Sequence, residues 1–203
     1  MTAVLAAQPG VHRIPAKTIE LYFRKAFLTP EVCAQLVDRI DAKRRPSTIA
    51  DDYGIPGFRT SETCDLDSAD PVVAGVEAQI CALTGLDPRH GEPTQGQRYA
   101  VGQEFKLHTD YFEPNGADFA QFCAVAGQRT WTVMIFLNEP EDGGATRFKR
   151  IDRVIKPETG KLLAWNNLDA NGFVNGWTLH AGMKVRAGTK YVITKWFRQR
   201  PWG

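Results

Sequence analysis

Between Thr94 and Arg198 the chain changes character every few residues, and this limits the folds open to it more than any other feature does. Short runs rich in Val, Ile, Thr, Trp, Tyr and Phe are separated by Gly, Pro and Asn, as at Gly102-Gln103 and Pro157-Glu158-Thr159-Gly160. Runs too brief for a helix and closed by chain-turning residues read as β-strands. Such runs fall at 97–101, 105–110, 129–138, 146–148, 153–156, 161–165, 178–186 and 189–198. Residues 129–138 are apolar on both faces and belong in the middle of a sheet.

The first half reads differently. Thr29-Pro30-Glu31 is a helix start, with a threonine cap, proline in the first turn and an acidic residue after it. Val32, Leu36, Val37 and Ile40 follow at helical spacing, so 30–44 is an amphipathic helix. A second helix is expected at 70–84, with Val72, Val73, Val76, Ile80 and Leu83 as its apolar stripe and Gly85 as its C-cap. Residues 1–16 read as a loose lead-in, 19–23 as an edge strand, 46–58 as a loop, and 59–66 as a returning strand. Two helices followed by about eight short strands make an α+β, mainly β chain, with helices bracing a sandwich or jelly-roll core. With no internal repeat, 1–203 is expected as one domain: the lead-in, a helical support region (17–93) and a β core (94–203).

Composition narrows the function. The 203 residues carry 43% hydrophobic and 24% charged residues and a net charge of +2, so no global basic field points to nucleic acid or membrane. Short basic clusters at 43–45 and 195–200 read as solvated surface. Cys33, Cys64, Cys81 and Cys123 contain no C-x-x-C pair, which argues against a structural zinc site and a disulfide framework. No signal sequence is recognised at the start, and no apolar run is long enough to span a bilayer, so a reduced, cytoplasmic setting is expected.

One of the β-runs carries chemistry. In Phe105-Lys106-Leu107-His108-Thr109-Asp110, the histidine and the aspartate are two residues apart and face the same way on an extended strand. Imidazole plus carboxylate suits a borderline or hard divalent metal, and a third ligand must come from elsewhere. Of the four histidines, His12 and His90 lie in segments read as surface. His180, in Trp177-Thr178-Leu179-His180-Ala181-Gly182, sits where a late strand can return beside the first pair. Two histidines and a carboxylate on one face of an octahedral ion are the ligand set of non-haem Fe(II) oxygenases. An H-x-D triplet alone is common by chance and gains meaning only from the residues ordered around it.

The last strands add a second clue. Arg186-Ala187-Gly188-Thr189 reads as a tight turn, and a hairpin there would lay Lys190 beside the strand bearing His180. Alternation then puts Lys190, Val192, Thr194 and Trp196 on one face. An inward lysine on such an apolar strand is costly unless it meets an anion, so Lys190 forecasts an anionic ligand.

Taken in order, Tyr99-x-x-Gly102-Gln103, His108-x-Asp110, Arg129-x-x-Thr132, Leu137-Asn138, Gly143-Gly144-Ala145-Thr146-x-Phe148, Pro157-x-x-Gly160, Trp165-Asn166, His180-Ala181-Gly182, Lys190 and Lys195-Trp196 form a series over residues 95–198. This series resembles the prolyl 4-hydroxylase group of Fe(II)/2-oxoglutarate-dependent dioxygenases. The resemblance implies a double-stranded β-helix, or jelly roll, with N-terminal supporting helices. It implies His108, Asp110 and His180 as iron ligands and Lys190 as the partner of the C5 carboxylate of 2-oxoglutarate. Tyr99 and Thr132 would donate hydrogen bonds to that cosubstrate, and Trp196 would wall its pocket. The implied reaction consumes O2 and 2-oxoglutarate, releases succinate and CO2 and hydroxylates a substrate, with ascorbate as reductant. Related halogenating enzymes lack the carboxylate, so Asp110 favours hydroxylation.

Substrate contacts are expected from the loops at 46–58 and 111–128, with Arg59, Tyr111 and Arg147 as the residues reaching the substrate. For Arg59 and Arg147 the plain alternative is a surface ion pair. The chain lacks the peptide-substrate-binding domain of the animal collagen enzymes, so the expectation is a compact enzyme acting on a prolyl residue in a peptide or protein. A small molecule or free amino acid comes next. A nucleic-acid substrate is not expected, because the R-x-N-x-T-x-R ending of nucleic-acid dealkylases is missing. An inactive binding module would have no use for an inward lysine opposite a metal. Nothing in the sequence speaks to oligomeric state.

Overall fold

Residues 1–16 are ordered, contrary to the expected loose lead-in. The computed structural model describes residues 1–48, 55–116 and 119–202, and it opens with a short helix, α1 (Thr2–Ala7), and a strand, β1 (Val11–Arg13). Leu5 is fully buried in the helical core, which is the physical reason the segment stays down. The elements that follow are β2 (Leu21–Arg24), α2 (Pro30–Lys43), β3 (Arg45–Pro46), β4 (Glu62–Asp65) and α3 (Pro71–Thr84). The β-rich half comprises β5 (Gln95–Tyr99), β6 (Phe105–His108), a short helix α4 (Phe119–Cys123), β7 (Arg129–Phe136), β8 (Asp142–Gly143), β9 (Thr146–Phe148) and β10 (Arg153–Ile155). It ends with β11 (Leu162–Asn166), β12 (His180–Gly182), β13 (Val185–Ala187) and β14 (Lys190–Arg198).

The two long helices form for the local reasons their sequences give. Thr29 Oγ1 accepts a hydrogen bond from Val32 N, and Asp70 accepts from Val72 N and Val73 N, each cap leading straight into a proline. Gly85 closes α3 in the left-handed region at φ 69°, as expected. Both helices lie on one face of an eight-stranded antiparallel sheet ordered β1-β2-β11-β7-β14-β5-β4-β3. The expected edge strand β2 is therefore second from the edge, with β1 outside it.

Alternation along the central strands sorts the apolar residues into two cores. Val133 and Ile135 of β7, Leu162 and Ala164 of β11, and Ile193 and Phe197 of β14 face Leu36, Ile40, Val73, Val76 and Ile80 of the helices. Met134 and Phe136, Leu163 and Trp165, and Val192 point the other way and meet Phe148 of a four-stranded sheet ordered β10-β9-β12-β6. A mainly β sandwich braced by N-terminal helices is the expected class, and it is what the structure shows. Gly96 lets α2 approach: a Cβ there would lie 2.4 Å from Ile40 Cγ1.

The expected hairpin at Gly188 does not form. β13 pairs with β8, and the chain crosses to the other sheet, where β14 runs between β7 and β5. Both edges of β12 are already taken, by β9 and β6, and all nine residues of β14 are buried, so β14 finds its two strand partners in the other sheet. Lys190 thus faces the His180 sheet from across the sandwich.

Two surface expectations also change. Lys195 and Arg198, in the cluster read as solvated, are buried and paired, Lys195 with Glu77 at 2.7 Å and Arg198 with Glu92 at 2.9 Å. The segment 111–128, read as one long loop, contains α4, and Arg200 donates to Cys123, Ala124 and Val125 carbonyls at its end. Residues 117–118 of that segment, and 49–54 of the expected loop at 46–58, lie outside the described residues. Among the described residues no helix is long and apolar enough to cross a membrane.

Candidate active site

His108 ends β6 and His180 begins β12, and strand pairing sets the two residues directly opposite each other. Their ring centroids are 4.2 Å apart. Each ring is fixed through Nδ1, that of His108 on Lys106 O at 2.7 Å and that of His180 on Thr178 O at 2.8 Å. With Nδ1–H donated to a carbonyl, each Nε2 keeps its lone pair for a metal. Asp110 sits just past the end of β6, with Oδ1 3.8 Å from His108 Nε2 and Oδ2 3.9 Å from His180 Nε2. One donor atom from each of the three buried side chains lies within 4.8 Å of the others.

Electrostatics favours the ligating protonation states. Burial, with His180 beside it, pushes His108 down to about 3, so its imidazole is neutral at physiological pH. Burial alone would raise Asp110, but His180, His108, Arg129 and the Thr132 hydroxyl outweigh it and hold the carboxylate below its usual range. Two imidazoles and one carboxylate fit a ferrous ion.

Opposite stands Lys190, 2% exposed. Burial pushes its ammonium down to about 7, with no carboxylate among the described residues to oppose the shift. Its Nζ lies 5.0 Å from the Tyr99 ring centre and 5.5 Å from that of Phe136. The inward orientation forecast from strand parity is therefore present. Tyr99, the strand partner of Lys190, meets the side chains of Ser61 and Arg59. Trp196 lies 4.0 Å under the Arg129 guanidinium, and its Nε1 is buried without a partner among the described residues.

Thr132 corrects an expectation. Its hydroxyl donates to Asp110 Oδ2 at 2.7 Å. A hydroxyl has one proton, so Thr132 has none left to donate to a cosubstrate. Arg147 takes the alternative of a surface ion pair and not a substrate position: it is exposed on the outer side of β9 and pairs with Asp152 at 3.7 Å, because Thr146 and Phe148 take the inward positions. Among the described residues Arg59 makes no ion pair. Its guanidinium donates to Ser61 Oγ at 3.0 Å, Thr63 Oγ1 at 3.1 Å and Gln95 Oε1 at 3.0 Å, beside the Phe105 ring. Tyr111 is half-buried, its hydroxyl 3.7 Å from where a Cβ on Gly176 would lie.

Sequence reading passed over Thr146, whose buried Oγ1 has no partner among the described residues. Thr146 is the strand partner of Gly182, and a Cβ on Gly182 would lie 3.8 Å from Lys190 Nζ. The signal was there, in the alternation of Thr146-Arg147-Phe148. Glu92 was also passed over: it holds Arg129 at 2.7 Å while Arg129 donates to Asp110 O at 3.2 Å. Nothing local marks Glu92, since its partners come from distant strands.

Comparison with known proteins matches residues 94–198 to the model of the 2OG-Fe(II) oxygenase superfamily. Prolyl 4-hydroxylase 13 of Arabidopsis thaliana is 27% identical over 200 residues, covering 89% of this chain and 71% of the plant protein. Mouse prolyl 4-hydroxylase subunit alpha-3 is 34% identical over 145 residues, which cover 70% of this chain and 26% of the subunit. The structure of the viral collagen prolyl hydroxylase from Paramecium bursaria Chlorella virus-1, in complex with 2OG, is similar with a TM-score of 0.70 at 25% identity, over 90% of this chain and 97% of that one. The matched stretch holds the histidine pair, the aspartate and the inward lysine alike, and the chain belongs to the 2OG-Fe(II) oxygenase superfamily.

Proposed function

We propose that this oxygenase hydroxylates a prolyl residue in a peptide or protein, with 2-oxoglutarate converted to succinate and CO2. The observation that carries the reading is the convergence of His108, Asp110 and His180 on one buried point, with a buried lysine that has no carboxylate partner among the described residues across the same interior. In this reading His108, Asp110 and His180 hold Fe(II), and the two facing sheets form the jelly roll. When bound, the ion activates O2 and, with the cosubstrate, supplies the oxidising power.

The chain's own residues perform the orienting work. Lys190 neutralises the far carboxylate of 2-oxoglutarate, and Thr146 adds a hydroxyl donor to the same end. Tyr99 and Trp196 wall the pocket, and the buried lysine draws an anion more strongly than an exposed one because little water competes. Arg59 and Tyr111 stand toward the substrate. Arg59, whose partners among the described residues are neutral, is suited to hold a peptide carbonyl or carboxylate. Ascorbate serves as the external reductant that keeps the iron ferrous. The prolyl assignment is supported by the names of the relatives, the plant and mouse prolyl 4-hydroxylases among them.

The test is incubation of Fe(II)-loaded protein with 2-oxoglutarate and a proline-containing peptide library. The expected result is a mass gain of one oxygen on proline, with stoichiometric succinate. Succinate formed only with a free metabolite would remove the prolyl assignment and leave the oxygenase standing.

A further inference from the structure

Asp110 and His180 come from opposite ends of the matched stretch, yet one chain of hydrogen bonds joins them through the loop at 167–178 between β11 and β12. Asp110 Oδ2 accepts from Thr132 Oγ1 at 2.7 Å, and Thr132 Oγ1 accepts from Asn167 Nδ2 at 2.9 Å. The backbone oxygen of Asn167 accepts from Asn175 N at 2.9 Å. Asn175 O accepts from Thr178 Oγ1 at 2.7 Å, and Thr178 O accepts from His180 Nδ1 at 2.8 Å. Thr132, Asn167 and Thr178 are fully buried.

Proton counting fixes the direction of this chain. An ionised carboxylate only accepts, so the single Thr132 proton goes to Asp110. The hydroxyl can then only accept from its other neighbour, and Asn167 must present its NH2 to it. The price is visible at the other end of the amide, where Asn167 Oδ1 is buried with no partner among the described residues. Orphaned buried acceptors are rare in folded proteins. Turning the amide over would present a second acceptor to Thr132 and break the bond that holds the aspartate.

We infer that Asn167 is a positioning residue for the metal centre. It holds Thr132 so that one oxygen of Asp110 is engaged by the hydroxyl and the other is left for the metal. It also ties that carboxylate to the backbone that orients His180. Ligation through one oxygen keeps positions of the ion open for cosubstrate and O2. The inference rests on the reading of His108, Asp110 and His180 as iron ligands.

The experiment titrates the full chain anaerobically with Mn(II), followed by the paramagnetic resonance of the free ion, and records the visible spectrum with Co(II), which reports coordination number. Asn167→Ala and Thr132→Val are each expected to weaken Mn(II) binding about 10-fold or more and to alter the Co(II) spectrum alike. The double variant is expected to bind no more weakly than Thr132→Val, and Thr132→Ser to keep wild-type metal affinity. Asn167→Leu nearly preserves volume and has no N–H or O–H to donate, so it repeats the loss even where the alanine variant unfolds. Asn167 variants with wild-type affinity and an unchanged spectrum, or losses that add in the double variant, overturn the inference. A wild-type chain that binds Mn(II) no better than His108→Ala overturns the ligand assignment itself.

Discussion

Lys190 on one sheet and Gly182 on the other close on the same spot, with Lys190 Nζ 3.8 Å from where a Cβ on Gly182 would stand. A methyl group would make only ordinary contact there, whereas a branched side chain would reach into the space beside the ammonium. Gly182→Val is therefore expected to raise the KM for 2-oxoglutarate roughly 10-fold or more while leaving Mn(II) affinity unchanged. Succinate release as a function of 2-oxoglutarate concentration measures the first, and a metal titration the second. Unchanged KM would place the cosubstrate elsewhere.

Lys190→Met removes the charge and keeps most of the bulk. A hydrogen bond to a charged group contributes about 1.5–3 kcal/mol, so cosubstrate binding is expected to weaken roughly 10- to 100-fold. The pH behaviour follows from the depressed pKa. Lys190 falls from 10.5 to about 7 on burial, so between those values the unfolded chain binds more protons and the cosubstrate-free protein gains stability as pH rises. Below about 7 the full cost of the buried charge is present. A bound carboxylate restores the charged form, so 2-oxoglutarate binding above pH 7 takes up protons, measurable by calorimetry in buffers of different ionisation enthalpy. The same calorimetry on Lys190→Met is expected to show no such uptake.

His108→Ala and Asp110→Ala are expected to abolish metal binding and turnover and to leave far-ultraviolet circular dichroism unchanged. His108 adds an acid sensitivity of its own. Its pKa drops from 6.5 to about 3, so its contribution to stability is present above pH 6.5 and lost as pH falls toward 3. Denaturant melts of the metal-free protein at two pH values, repeated on His108→Ala, isolate that slope. A wild-type slope surviving in the variant would assign it to another group.

Gly96→Ala tests the packing of α2 on the sheet. Its new methyl would lie 2.4 Å from Ile40 Cγ1, and overpacking of this kind costs about 1–3 kcal/mol. A thermal melt is expected to show the loss, and pairing with Ile40→Val to recover part of it.

Where physics was local, the chain could be read directly. Thr29-Pro30, Asp70-Pro71 and Gly85 bound the helices as their sequences require, and the alternation of β14 turned Lys190 inward. Pairing partners were not local. The turn at Gly188 looks like a hairpin turn in isolation, and only the buried edges of β14 show that it must carry the chain to another sheet. Lys195 and Arg198 looked solvated because Glu77 and Glu92, which neutralise them, lie 118 and 106 residues away. For Arg147 the ion-pair alternative is the one the structure shows, and only the inward turn of Thr146 and Phe148 decides between the two readings. Thr132 was found and given the wrong partner, since a sequence does not say which of two acceptors receives a single proton.

The histidine pair and the aspartate are not held with equal stiffness. His108 and His180 are rungs of one ladder and part only if β6 and β12 unzip, whereas Asp110 hangs beyond the last rung on its hydrogen bonds. An ion held by the three side chains would therefore be expected to part from the carboxylate first on mild heating. The two imidazoles would stay side by side, a docking berth at which a fresh ion could land without any refolding.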